Sequence, residues 1–93
     1  MKEDSVYIKH ILDAVNDIEE FVKDMNKETF LNNKAIEYAV VRSVEIIGEA
    51  SKHLSKKFRQ QHKDIPWEDI CGMRDKLIHD YIGVDYSIVW QAI

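Results

Sequence analysis

The sequence predicts an all-α fold, an up-and-down bundle of four main helices plus a short helical turn. Apolar residues recur every three or four positions through long segments, which is the spacing of one helix face. Only three glycines and one proline interrupt the 93 residues. This length suits one hydrophobic core but not two, so residues 1–93 are expected to form a single helical domain.

The first helix is expected to begin at Asp4 or Ser5, because either residue is a plausible N-cap. It continues for about six turns. Its apolar face is formed by Ile8, Ile11, Leu12, Val15, Ile18, Phe21, Val22 and Met25. The polar stretch from Asn26 to Asn33 is interpreted as the connection to the second helix.

The second helix is expected to start near Asn33 and to end in a basic segment through Lys57. Its apolar stripe consists of Ile36, Ala39, Val40, Val44, Ile47, Ala50, Ser51, Leu54 and Phe58. Gly48 lies inside this helix, where it costs about 1 kcal/mol relative to alanine. A glycine inside a helix, despite this loss of helix stability, predicts that a neighbouring element packs close to it.

The remaining chain predicts three more elements. Pro66 suits the first turn of a short helical segment that ends near Gly72. The next helix is expected to run from Met73 to about Ile82, where Gly83 stops it. A last helix begins at its cap, Asp85.

Charge and composition limit the possible functions. A net charge of −4 argues against broad non-specific binding of nucleic acids, which is driven by phosphate neutralisation. However, the segment Lys52–Lys63 carries five basic residues and no acid. These cations are explained equally well by the negative end of the helix dipole and by a track for ribose phosphates.

The chain has the features of a soluble cytoplasmic protein. Its single cysteine, Cys71, excludes an internal disulfide, fits a reducing compartment and is interpreted as a packing residue. Neither a secretion signal nor a membrane span is predicted. Metal-ligand spacing is absent from the sequence: His53 follows Glu49 by one turn, but one such pair falls short of a zinc site. Both His53 and His62 are interpreted as polar surface, and Arg42 as a partner in a surface ion pair.

Arg74, His79 and Tyr81 fall within eight residues near the C-terminus. Histidine exchanges protons near neutral pH, and a guanidinium binds phosphate through two parallel hydrogen bonds. On one straight helix, Arg74 and Tyr81 are about 20° apart, whereas His79 is about 140° from Arg74. One site therefore requires a bent Arg74 side chain, a helix that loosens toward Gly83, or a symmetry mate. Spacing alone favours a simpler explanation, an amphipathic helix with a solvated arginine and a surface histidine.

Two segments resemble the HepT-like toxins of the HEPN superfamily. The Arg-x-x-x-x-His-x-Tyr motif of that family falls on Arg74, His79 and Tyr81, and its Ile-Gly-Glu-Ala segment matches residues 47–50. The resemblance covers most of the chain, including residues 67–90. Because the family generally continues beyond this point, the C-terminal helix is expected to be cut short.

The resemblance implies a metal-independent endoribonuclease without a cofactor, acting on RNA as the toxin of a toxin–antitoxin pair. It implies a homodimer with a shared cleft, where Arg74 and His79 are catalytic and where Glu49 and Asp75 support them. It also implies that a minimal nucleotidyltransferase antitoxin attaches AMP to Tyr81. The alternative is a non-catalytic subunit that binds a substrate or nucleotide for a nucleotidyltransferase. His79 favours the enzyme, because binding alone needs no titrating group, whereas the acidic pI favours the binding subunit.

Overall fold

A computed structural model describes residues 3–79 and 83–93, and it confirms the all-α bundle. The described residues form six helices in this order: α1 (Asp4–Phe21), α2 (Lys27–Leu31), α3 (Lys34–His53), α4 (Lys56–Gln61), α5 (Trp67–His79) and α6 (Tyr86–Ala92). The long helix α3 is central, with α1 and α5 packed along it. Within the described ranges, no helix is long and apolar enough to cross a membrane.

The connection expected between the first two long helices contains helix α2. Asn26 caps this helix: its side chain accepts a hydrogen bond from Thr29 N at 2.9 Å, and Thr29 Oγ1 accepts from Asn26 N at 3.0 Å. Phe30 is fully buried and lies 5.2 Å from Trp90, measured between ring centroids. Phe30 joins Val40, Leu77 and Val89 in the core. This stretch is therefore a capped helix that contributes to the core.

The second predicted helix is divided into α3 and α4 by an extended residue, Leu54. Ser55 donates two hydrogen bonds to the carboxylate of Asp4, from its N at 2.8 Å and from its Oγ at 2.6 Å. Ser55 Oγ also accepts from Phe58 N at 3.1 Å, which caps α4. The sequence placed the N-cap of α1 at Asp4 or Ser5, and this expectation is wrong. Glu3 is the N-cap, and Asp4 is the first residue of the helix. The hydrogen bonds from Ser55 hold the pKa of Asp4 below its ordinary value.

Helix α5 is continuous across Gly72, where the sequence predicted a short turn followed by a second helix. Gly72 is exposed, has no positive φ, and has no atom within 4 Å of the position a Cβ would take. The helix therefore tolerates this glycine. Residues 80–82, where this helix was expected to end, lie outside the described residues. The predicted cap of α6 is confirmed, since Asp85 Oδ1 accepts from Ser87 N at 3.0 Å.

Candidate active site at the crossing of α3 and α5

Gly48 lies at a close contact between α3 and α5. A Cβ at this position would be 2.8 Å from Arg74 Cγ, closer still to Arg74 Cβ, and 3.2 Å from the carbonyl oxygen of Ile70. The close approach predicted from the mid-helix glycine is therefore confirmed, and the neighbour is α5. Because Gly48 lacks a side chain, the stem of Arg74 lies directly against the backbone of α3.

Two carboxylates orient the guanidinium of Arg74. Its Nη2 lies 2.8 Å from Glu49 Oε2 on α3, and its Nη1 lies 2.9 Å from Asp75 Oδ1 on α5. The arginine side chain is 24% exposed, whereas both carboxylates are about half exposed. Arg74 Nε is buried without a hydrogen-bond partner among the described residues. The guanidinium is thus held against α3 and retains an unsatisfied donor.

Lys52 is the fourth member of this charged cluster. Its ammonium group forms an ion pair with Asp75, whose carboxylate also accepts from Arg74. The hydrogen bond from Lys52 and, to a smaller extent, the one from Arg74 hold the pKa of Asp75 below its ordinary value. Two cations and two carboxylates therefore balance one another. Sequence reasoning did not single out Lys52, although its place three residues after Glu49 on one helix signalled a shared face.

Cys71 lies beneath this cluster, between α3 and α5. Its Sγ is 3.8 Å from the carbonyl oxygen of Gly48, and the side chain is partly buried. Burial raises the pKa of the thiol, which the positive charges of Lys52 and Arg59 partly oppose. A thiol with a raised pKa at a helix contact fits the packing role expected from the sequence.

A groove of about 430 Å³ opens beside Arg74. It is lined by Tyr7, His10, Arg42, Glu45, Ile46, Glu49, Ala50, His53 and Arg74. Glu49 Oε1 lies 3.1 Å from His53 Nε2, and the His53 ring stacks on Tyr7 with centroids 5.1 Å apart and planes at 13°. Sequence reasoning missed the stack on Tyr7, which lies on a different helix. His53 is nevertheless 53% exposed, in keeping with its interpretation as a polar surface residue.

Of the predicted site residues, the structure brings together Arg74, Glu49 and Asp75. His79 is the last residue of α5, five positions after Arg74 and therefore about 140° around the helix axis. The helix does not loosen before that residue. Tyr81 lies outside the described residues. Among the described side chains, no group of three or more His, Cys, Asp or Glu residues is arranged to hold a metal ion.

Comparison with known proteins identifies the family. The family model described as Ribonuclease HepT-like matches residues 11–93. "Putative RNase MJ0125" of Methanocaldococcus jannaschii is 51% identical over 86 residues, which cover 92% of this chain and 74% of that protein. "Probable ribonuclease HepT" of Thermococcus cleftensis is 45% identical over 87 residues, covering 94% of this chain and 79% of that protein. No solved structure matches the chain significantly. The resemblance is therefore confirmed, and this chain belongs to the HepT-like ribonuclease family.

Proposed function

We propose that this chain is a metal-independent endoribonuclease and the toxin of a toxin–antitoxin pair. The observation that carries the proposal is the Arg74 guanidinium, which Glu49 and Asp75 hold in one orientation on the helix that also carries His79. An oriented guanidinium stabilises the negative charge that develops on phosphorus during cleavage. The ribonuclease names of two relatives from the same family agree with this chemistry.

The reaction uses the RNA's own nucleophile. His79 accepts the proton of a ribose 2′-hydroxyl, whose oxygen attacks the adjacent phosphorus, or donates a proton to the departing 5′-oxygen. Arg74 stabilises the phosphorane between these steps. The products are a 2′,3′-cyclic phosphate and a 5′-hydroxyl. Because the 2′-oxygen is already held beside the phosphorus, this mechanism requires no metal-bound water.

In a homodimer, Arg74 and His79 from different subunits can meet in one site. Positions 74 and 79 lie on different sides of one helix, and the Arg74 side chain is held against Glu49. A second subunit related by a two-fold axis brings His79 of one chain to Arg74 of the other. Sedimentation should therefore detect a dimer. A monomer alone at tens of micromolar, roughly the range where weak interfaces dissociate, would contradict the shared cleft.

The direct test incubates the purified protein with a mixed pool of RNA and maps the ends produced. His79→Ala should abolish cleavage, and Arg74→Ala should slow it by about 10²-fold or more. Lys9→Ala is the control, because it also removes one positive charge, and Lys9 forms an exposed 3.2 Å ion pair with Asp13 outside the groove beside Arg74. Chelator should leave the rate unchanged. An intact RNA pool would contradict the proposal and favour the non-catalytic binding subunit, whereas equal cleavage by His79→Ala would contradict the acid–base role of His79.

Tyr81 is proposed as the point of control by the antitoxin. A phenol is a poor proton shuttle at neutral pH, so the motif tyrosine needs another role. A minimal nucleotidyltransferase would attach AMP to its hydroxyl and release pyrophosphate from ATP. The added phosphate then competes for the Arg74 guanidinium, and the adenosine blocks the cleft.

Intact-mass spectrometry tests the modification after incubation with the transferase, ATP and magnesium. The parent protein should gain the mass of one or more AMP groups and lose cleavage activity while remaining folded. Tyr81→Phe should remain an active nuclease without gaining mass. An equal mass gain on Tyr81→Phe would contradict the assignment.

A further inference from the structure

A second groove, which the proposed chemistry does not use, lies between α4 and the start of α5. Its volume is about 570 Å³. Its lining includes Lys56, Arg59, Lys63, Trp67, Glu68 and Asp69. It thus combines three cations from α4 and the turn that follows it, the ring of Trp67 and two carboxylates on α5.

The cations of this groove are not held in ion pairs among the described residues. Lys56, Arg59 and Lys63 form no ion pair with any described acidic side chain. By contrast, Lys52 and Arg74 are both paired at the α3–α5 crossing. The groove therefore has a small excess of positive charge, three cations against two carboxylates, although the whole chain is acidic. Such a local excess attracts phosphate groups.

Trp67 provides a rigid apolar surface in this groove. Its Nε1–H donates to the carbonyl oxygen of His62 at 3.1 Å, and its ring meets Phe58 edge-on with centroids 6.2 Å apart. The ring is only partly buried. An aromatic side chain fixed in this way stacks on bases of any sequence. Glu68 and Asp69 are exposed beside it, where their oxygens can accept hydrogen bonds from base amino groups.

The groove is aligned with the candidate active site. Trp67 and Arg74 are seven residues apart on α5, so they lie about 20° apart around the axis and about 10 Å apart along it. That distance corresponds to about three stacked nucleotides at ~3.4 Å each.

We propose that this groove binds the single-stranded RNA that flanks the scissile phosphate, with phosphates on Lys56, Arg59 and Lys63 and a base on Trp67. The inference rests on the ribonuclease function proposed above. It assigns recognition of substrate length to a surface separate from the chemical step. A two-nucleotide substrate is too short to occupy both places, whereas a longer strand spans them.

Binding is tested with a fluorescent 12-nucleotide single-stranded RNA in which every ribose is 2′-O-methylated, so the nucleophile for cleavage is blocked. Lys56→Gln/Lys63→Gln removes two groove cations, and Lys23→Gln/Lys27→Gln removes two exposed lysines elsewhere. At ~0.1 M salt, loss of two phosphate contacts should weaken binding by about 20-fold and reduce the slope of log K against log salt by about 1.4. The control pair should change affinity by less than about threefold.

Fluorescence locates the bound strand. The chain has two tryptophans, so Trp67 is the sole tryptophan in a Trp90→Phe background. Stacking of a base should quench its emission as the 2′-O-methylated RNA is added. Unchanged emission at saturation would overturn the assignment of a base to Trp67.

Kinetics separate failure of this inference from failure of the nuclease proposal. For RNA that the parent cuts, the groove variant should raise KM at least tenfold more for a 12-nucleotide substrate than for a two-nucleotide one. If the parent cuts no RNA, the nuclease proposal fails, and binding of the 2′-O-methylated strand still tests the groove. Equal weakening by both lysine pairs would overturn the inference. So would unchanged RNA affinity with slower AMP transfer to Tyr81, which would assign the groove to a protein partner.

Discussion

Substitution of Gly48 by alanine tests whether the close approach of α3 and α5 positions Arg74, the proposed catalytic arginine. The new Cβ would lie 2.8 Å from Arg74 Cγ and closer still to Arg74 Cβ. Carbon atoms pack at about 3.5–4.0 Å, so α5 must move by about 1 Å or more. The contact involves the base of the side chain rather than its flexible end. Rotation of Arg74 alone therefore cannot relieve it.

The stability change combines two opposing effects. Overpacking lowers the free energy of unfolding by about 1–3 kcal/mol, whereas replacing a glycine inside a helix by alanine raises it by about 1 kcal/mol. The net expectation for Gly48→Ala is a destabilisation of about 1 kcal/mol. Gly72→Ala is the matched control, because its Cβ would meet no atom within 4 Å. This second variant should be more stable than the parent by about 1 kcal/mol.

Thermal unfolding followed by circular dichroism measures both variants at one fixed protein concentration. For a domain of this size, Tm should fall by about 5 °C in Gly48→Ala and rise by about 5 °C in Gly72→Ala. Displacement of Arg74 by ~1 Å should also slow RNA cleavage by up to about 10²-fold. Equal shifts of Tm in the same direction, or parental cleavage by Gly48→Ala, would refute the reasoning.

Two further predictions concern charge and core packing. The pKa of Asp75 is depressed by Lys52 and Arg74, so its stabilising contribution is present above its ordinary pKa of 3.8 and is lost as pH falls through the folded pKa. Asp75→Asn should therefore lower the urea midpoint at pH 7, and this deficit should shrink below pH 3.8; a deficit independent of pH would contradict the ion pairs. Phe30→Ala should lower unfolding free energy by about 3–5 kcal/mol, since Phe30 is fully buried, whereas exposed Leu31→Ala should cost under about 1 kcal/mol. Similar urea midpoints for these two variants would contradict a core role for α2.

Helical periodicity was sufficient to predict the long elements of the fold. The breaks between them depend on contacts that local patterns do not contain. Helix α3 ends before Ser55, which binds a carboxylate 51 residues earlier at Asp4. Similarly, Gly72 resembles a stop signal in the sequence, but nothing in its surroundings requires one. A glycine in the sequence therefore indicates where a helix can break, and tertiary contacts decide whether it does.

The candidate site was predictable where its geometry follows from one helix or from the family motif. The resemblance implied that Glu49 supports the site, and the structure pairs its carboxylate with Arg74. The link from Lys52 to Asp75 was not predicted, because it depends on how α3 and α5 are positioned relative to each other. The orientation of the Arg74 side chain toward α3 was not predicted either, because it also depends on the relative positions of these two helices. Sequence spacing fixes an angle on one helix, whereas ion pairs between helices determine where a long side chain points.

The shared cleft is tested most directly by mixing two inactive variants. Arg74→Ala and His79→Ala are co-refolded in equal amounts so that subunits exchange, and RNA cleavage is compared with that of each variant alone and of the parent. If Arg74 of one subunit acts with His79 of its partner, each mixed dimer contains one intact site. Random pairing should then restore about a quarter of parental activity. A mixture no more active than the separate variants, although mixed dimers have formed, would contradict a site built from two subunits.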